Sequence, residues 1–573
     1  GNCQAGWAVM MLSAVAPELM GPILLAGAPL SYWAGEGTQN PMRYTGGLLG
    51  GSWLTALAGD LGAGIFDGAH LVQNFESMNP SNTLWTKQHH LHANIDTEGP
   101  RYLAFERWWG GHVLLNAEEM QWIVDNLFVG NRLATAELVT GDGVRLDFRD
   151  IASPIVCFCS EGDDITPPQQ ALGWILDLYG SVDDIRANGQ TIVYCVHDKV
   201  GHLGIFVSGS VAKKEHAEFT DNIDLIDCLP PGLYEAVLTP VDARESRDGL
   251  VVGDYVARFE ALTLDAIRAL GGNDLEDERE FAAVARLSKI NLGLYRTFLQ
   301  PWVRAAVTPA AAETLRRLSP SRLQYELISD RNPFLAPLAA TADRVRENRE
   351  PVARDNPFVA AEQLASRQIA AALDAWRDLR DAAGEALFHS AYGSPLVQAT
   401  LGLRASDAPP RPRPGHEPEE IAFVRERTAA LLERMGEGGM REAFVRAFVY
   451  VRQPQLAADE RGFRMLQKLR DEHAKDVTLA QFKQLVRDQF MMVLLDPEEA
   501  VRTLPKLLAG REAEAPRVFG VLDDLLAVGG PLTGETAARR EQVARIFGAA
   551  PEGDDQPAPR RRLSVAGGSD ARG

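Results

Sequence analysis

The chain has 573 residues, 46% of them hydrophobic and 24% charged, and a formal net charge of −20. That acidity excludes a basic nucleic-acid-binding face and a polybasic membrane anchor, and the length calls for about two to four domains. Five cysteines without metal-like spacing fit free thiols in a reducing compartment; no uninterrupted apolar stretch spans a bilayer, so a cytoplasmic location is expected.

The first six residues, Gly1-Asn2-Cys3-Gln4-Ala5-Gly6, set a cysteine among small residues. An apolar run from Trp7 follows, broad enough for a helix packed on a sheet, and Pro22–Gly27 reads as a short buried strand. A nucleophile on a tight turn that opens a helix is a nucleophile elbow. A strand should lead into such a turn, and here neither a strand nor an initiator methionine precedes it. The expectation is the C-terminal part of a longer protein, cut at the elbow.

His89, His90 and His92 have spacing that could hold a metal, but no carboxylate or cysteine stands at a recognisable distance in sequence, and no metal site is expected. Trp108 and Trp109 lie in a long insertion, where they are candidates for lining a substrate tunnel, with core packing the equal alternative. Ile155–Ser160 and Thr191–Val196 are the clearest buried strands. Within the first, Cys157 and Cys159 are expected to place one thiol in the core and to form no disulfide.

The loop after the first of these strands carries Asp163 and Asp164, and the loop after the second carries His197 and His202. A cysteine nucleophile needs a base, and the base needs a third group to fix its tautomer. Nucleophile, acid and histidine occur in that order, with the acid and histidine just past strand ends, where the sites of open α/β sheets gather. Asp163 and His202 are the preferred pair on motif match, with Asp164 and His197 as competitors.

These segments resemble poly(3-hydroxyalkanoate) synthases. Gly1-x-Cys3-x-Ala5-Gly6 is similar to their lipase-like box with cysteine in place of serine; Asp163-Asp164-Ile165-Thr166-Pro167 and Val200-Gly201-His202-Leu203 are similar to their aspartate and histidine segments. Residues 122–138 and the stretch leading to Asp163 also match, so the resemblance covers about residues 1–205. The whole arrangement looks like a proteobacterial family often labelled poly(3-hydroxyalkanoate) synthetase on homology alone.

The resemblance implies an α/β fold: the C-terminal portion of an α/β-hydrolase sheet with a cap insertion, followed by all-α domains. It implies an acyltransferase that moves 3-hydroxyacyl groups from CoA thioesters, with CoA thioester as substrate and no cofactor. Cys3 would be acylated and His202 would deprotonate it, aided by the helix N-terminus beneath the elbow. Asp163 would orient His202 or help activate the incoming 3-hydroxyl, and the Gln4 N–H would donate to the oxyanion, a second donor belonging to a loop upstream of residue 1. A thioesterase or esterase with the same triad, and a scaffold with a vestigial site, are the competing functions. Association with a hydrophobic granule and a homodimer are further expectations. Ala5, in place of the elbow glycine, should crowd the helix–strand packing, and Pro168 stands where synthases place tryptophan.

Residues 1–240 are thus expected to form the partial hydrolase domain. From 251 to 403 the texture turns helical, with a Thr308-Pro309 helix start and Asn-Pro-Phe at 332–334 and 356–358. Residues 405–419 read as a linker and 420–548 as a helical bundle, in which Thr478 to Gln481 forms a capping box. Residues 549–573 are expected to be a disordered tail.

Overall fold

The computed structural model describes residues 1–37, 40–241, 254–329, 331–350, 352–353, 355–403, 409–452, 457–464, 478–528, 532 and 534–549. The chain is an α/β protein that divides into two compact units, one of residues 1–241 and 252–427, the other of 242–251 and 428–573. No helix among the described residues is long and apolar enough to cross a membrane.

The first unit is built on a mostly parallel sheet. Among the described residues its strands run in chain order as β1 (Ile23–Ala26), β2 (Ile65–Asp67), β3 (Leu114–Asn116), β4 (Ile155–Ser160), β5 (Thr191–His197), β6 (Gly232–Pro240) and β7 (Tyr255–Leu262). In space β1, β4, β5 and β6 lie side by side and parallel, and β7 closes on β6 antiparallel. β2 and β3 form a separate two-stranded antiparallel sheet in the insertion between β1 and β4.

All six residues of β4 are buried, as an interior parallel strand covered on both faces requires. Cys157 and Cys159 therefore do not divide between core and surface: residues two apart share a face, and both belong to one core cluster with Ile155. Both thiols are free. That cluster is completed by α1 (Ala5–Val15) and α2 (Pro168–Leu178), which bury Met10 and Trp174 against the sheet. Pro168 takes the first position of α2, where its missing N–H costs nothing.

A separate helical domain starting at 251 is corrected by β7, which extends the sheet to Leu262. Beyond it, α3 (Leu275–Leu294) and the long α4 (Pro357–Tyr392) share a core with the loop after β1, Phe281 and Phe388 packing on Trp33 and Tyr44. The two Asn-Pro-Phe copies have a local explanation. Asn356 caps α4 through the Phe358 N–H, and Asn332 accepts the Phe334 N–H in the same way. Thr308 likewise caps its helix on the Ala311 N–H.

The expected linker is only partly one. Residues 404–408 lie outside the described residues, but 409–419 form a strap docked on the first unit. Arg411 donates to Asp177 at 2.7 Å and to Glu278 at 3.2 Å, Arg413 reaches the same two carboxylates, and the Arg411 guanidinium stacks 5.1 Å from the Trp33 ring. Pairing of buried charges supplies what proline-rich composition lacks.

The second unit is a helical bundle with a core of residues such as Ala447, Val451, Leu504, Leu522 and Phe547. The capping box forms as expected, Thr478 and Gln481 bonding reciprocally at 3.3 and 3.0 Å. Arg446 is fully buried in this core, donating to Gln489, Met435 O and Thr503, and burial lowers its pKa to about 10. Apart from Ala549, the expected tail lies outside the described residues.

Candidate active site

Residues 1–3 run beside β1 in parallel register. Asn2 bridges Ala26, the Cys3 N–H donates to Ala26 O at 2.9 Å, and the Ala26 N–H returns to Gly1 O at 3.0 Å. Cys3 then takes φ +50, the left-handed region, and α1 begins two residues later. A non-glycine residue there costs about 1–2 kcal/mol, and such strain collects where a side chain must be aimed. The turn lifts Cys3, half-buried, above the N-terminus of α1, and the Gln4 N–H has no backbone acceptor among the described residues.

Close packing beneath the turn falls on Gly6, not on the position of Ala5. Ala5 is exposed and crowds nothing, whereas a Cβ on Gly6 would sit 2.3 Å from that of Ala28. Gly6→Ala should therefore cost about 1–3 kcal/mol through overpacking, and adding Ala28→Gly should recover part of it. Denaturant unfolding of both variants checks this; an unchanged midpoint in Gly6→Ala would mean that α1 yields freely.

The loops after β4 and β5 are pinned to each other. Ser160 Oγ and the Glu161 N–H both donate to His197 O, and Gly162 packs so close to Lys199 O that a Cβ would come within 2.4 Å. This brings Asp163 and His202 together: His202 Nδ1 donates to Asp163 Oδ2 at 2.7 Å. Asp163 is 2% exposed, and its other oxygen accepts the N–H groups of Ile165 and Thr166 at 2.9 and 2.8 Å. His202 opens a short helix (His202–Val207), and its ring meets Phe206 edge-on at 5.1 Å and lies within hydrogen-bond reach of the Cys3 thiol.

The competitors do other work. His197 Nδ1 accepts the N–H groups of Lys199 and Val200, holding its own turn, and Asp164 is exposed. Cys3, His202 and Asp163 therefore stand in one line of contacts.

Burial works against charge on His202, but the hydrogen bonds to Asp163 and Cys3 and their negative charge outweigh it, pushing the imidazole up to about 10. A folded pKa above the ordinary 6.5 means that this contribution is complete below pH 6.5 and is lost as pH rises through about 10. The stability difference between the wild type and His202→Gln should accordingly shrink by roughly 2–4 kcal/mol across that window. Paired denaturation curves from pH 6 to about 10 measure it, and a constant difference would remove the charged pair from the site.

Gly27 was not singled out by the sequence. Its φ is +53, its N–H donates to Phe158 O, and a Cβ there would lie 3.3 Å from His202 Cε1 and 3.4 Å from Asp163 Oδ2. A glycine directly after a predicted strand is the signal that could have found it.

Trp108 and Trp109 have neighbours of their own. Trp109 donates to Glu76 at 2.5 Å and stacks on Phe105, and Trp108 is 59% exposed. No recorded contact joins either to Cys3, Asp163 or His202 among the described residues. The histidine cluster does acquire a carboxylate, from far away in sequence: Glu362 Oε1 lies 3.1 Å from His89 Nε2 and 3.9 Å from His92 Nε2.

Among known proteins, an uncharacterized protein in the ackA 5′ region of Rhizobium meliloti is 57% identical over 551 residues, covering 96% of this chain and 75% of that protein. No solved structure matches the chain. Residues 1–435 match the family described as "Protein of unknown function (DUF3141)", and the chain belongs to that family.

Proposed function

We propose that the first unit is an acyltransferase with an α/β-hydrolase-type site, resembling poly(3-hydroxyalkanoate) synthase, that carries 3-hydroxyacyl groups on Cys3. The observation that supports this reading is a left-handed cysteine at a strand-to-helix turn, within reach of a histidine whose other nitrogen is held by a buried aspartate.

In this reading Cys3 Sγ attacks the thioester carbonyl and gives its proton to His202, whose raised basicity draws it. The carbon–sulfur bond to CoA breaks, and the CoA thiolate takes that proton. The Gln4 N–H donates to the oxyanion formed on the way. The 3-hydroxyl of a second acyl unit then gives its proton to His202 and attacks the Cys3 thioester, forming an ester and freeing the thiol. Asp163 holds Nδ1 so that Nε2 serves both steps.

Supplying the full-length protein with 3-hydroxyacyl-CoA tests the reading. Polymer and free CoA support it. Free hydroxy acid and CoA would replace it with a thioesterase, and absence of any acyl adduct on Cys3 would leave a scaffold with a vestigial site.

A further inference from the structure

Asp277 and Glu280 are one turn apart near the start of α3 and so lie on one face of it. His389 comes from the last turn of α4. Its Nδ1 donates to Glu280 Oε2 at 2.6 Å, and ligand atoms of Asp277, Glu280 and His389 all lie within 4.8 Å of one another. They line a cavity of about 540 Å³, together with Asp274, Glu276 and Ser394.

The buried carboxylate is incompletely satisfied. Glu280 is 3% exposed, and among the described residues no donor meets its Oε1. That oxygen lies against Gly393, where a Cβ would come within 2.6 Å of it, so a bare glycine keeps it open to the cavity. Open to the cavity and without a donor, that oxygen is free to take a cation. Among the described residues no lysine or arginine lines the cavity, whose wall carries Asp274, Glu276 and Asp277 as well, and Glu385 lies 3.8 Å from His389 Nε2.

We propose that Asp277, Glu280 and His389 form a binding site for one divalent cation of the zinc class. An imidazole joined to two carboxylates suits Zn²⁺ and its first-row neighbours, whereas Mg²⁺ and Ca²⁺ prefer oxygen ligands throughout. Three protein ligands facing a cavity leave a coordination position open to solvent. The cation takes the free Oε1 side of Glu280 and the His389 nitrogen, and the proton now shared between His389 and Glu280 leaves to solvent. Bound there, it ties the start of α3 to the end of α4, beside the packed rings of Phe281 and Phe388.

The test uses the full chain carrying Cys3→Ala, which removes the half-exposed thiol as a rival ligand, after stripping with a chelator. Zn²⁺ is titrated against a chromophoric competitor, and melting is followed with and without the ion. One saturable site per chain and a Zn²⁺-dependent rise in melting temperature are expected. His389→Ala should weaken binding by about a hundredfold or more and abolish the rise. Glu280→Gln, an isosteric change, should do the same and serves if the histidine variant does not fold. His89→Ala with His92→Ala should change neither result. No saturable site, a site that survives both His389→Ala and Glu280→Gln, a site lost with His89 and His92, or equal affinity for Mg²⁺ would each overturn the proposal.

Discussion

Cys3→Ala in the full-length protein is expected to abolish acylation and turnover, a loss of about 10⁴–10⁶-fold, while leaving the fold intact. The substitution keeps the backbone of the turn and removes only the sulfur that faces His202. Cys3→Ser should preserve the geometry and still lose most activity, because a hydroxyl is a far weaker acid than a thiol. His202→Gln should slow acylation, and Asp163→Asn should retain part of it, since orienting the base matters less when the nucleophile is already acidic. Iodoacetamide offers a check that needs no substrate. Cys157, Cys159, Cys195 and Cys228 are all buried. Burial pushes the thiols of Cys157 and Cys195 up to about 12 and that of Cys159 well above its ordinary value. Only Cys3 is half-exposed and faces a cationic ring, so it should label first by a wide margin near neutral pH. If Cys3 labels no faster than the other four, the enzyme reading fails.

Arg411→Ala should be the most damaging single change outside the site, destabilising the first unit by about 3–5 kcal/mol. The Arg411 side chain is 8% exposed, and its two partners, Asp177 and Glu278, are 5% and 3% exposed. Removing the guanidinium leaves Arg413 as the only cation on both carboxylates among the described residues and takes away the cover over Trp33. The exposed pair Arg346–Asp343 is the natural control, since breaking a solvent-screened bridge should cost at most about 1 kcal/mol. Urea unfolding followed by tryptophan fluorescence compares the two. A loss in Arg411→Ala no larger than in the control would mean that the strap rests on the surface without holding it.

Strands β4 and β5 were legible because runs such as Ile155–Cys159 are apolar throughout, and the helix starts at Thr308 and Thr478 because a cap lies within three residues of what it caps. The order Cys3, Asp163, His202 was legible for a related reason: a loop's position after a strand follows from the strand itself. Choosing His202 over His197 on structural grounds needed the fold, since His197 turns back on its own loop while His202 reaches across to Asp163. The same holds for Gly6, whose need to lack a side chain appears only when α1 lies against Ala28. The strap from Arg411, the extension of the sheet by β7, and the meeting of Glu280 with His389 were not legible at all. Sequence patterns carry what neighbours along the chain impose on one another, through periodicity, capping and turn chemistry. Which charge finds a partner more than a hundred residues away depends on the path of the backbone between them, and only the tertiary structure decides that path.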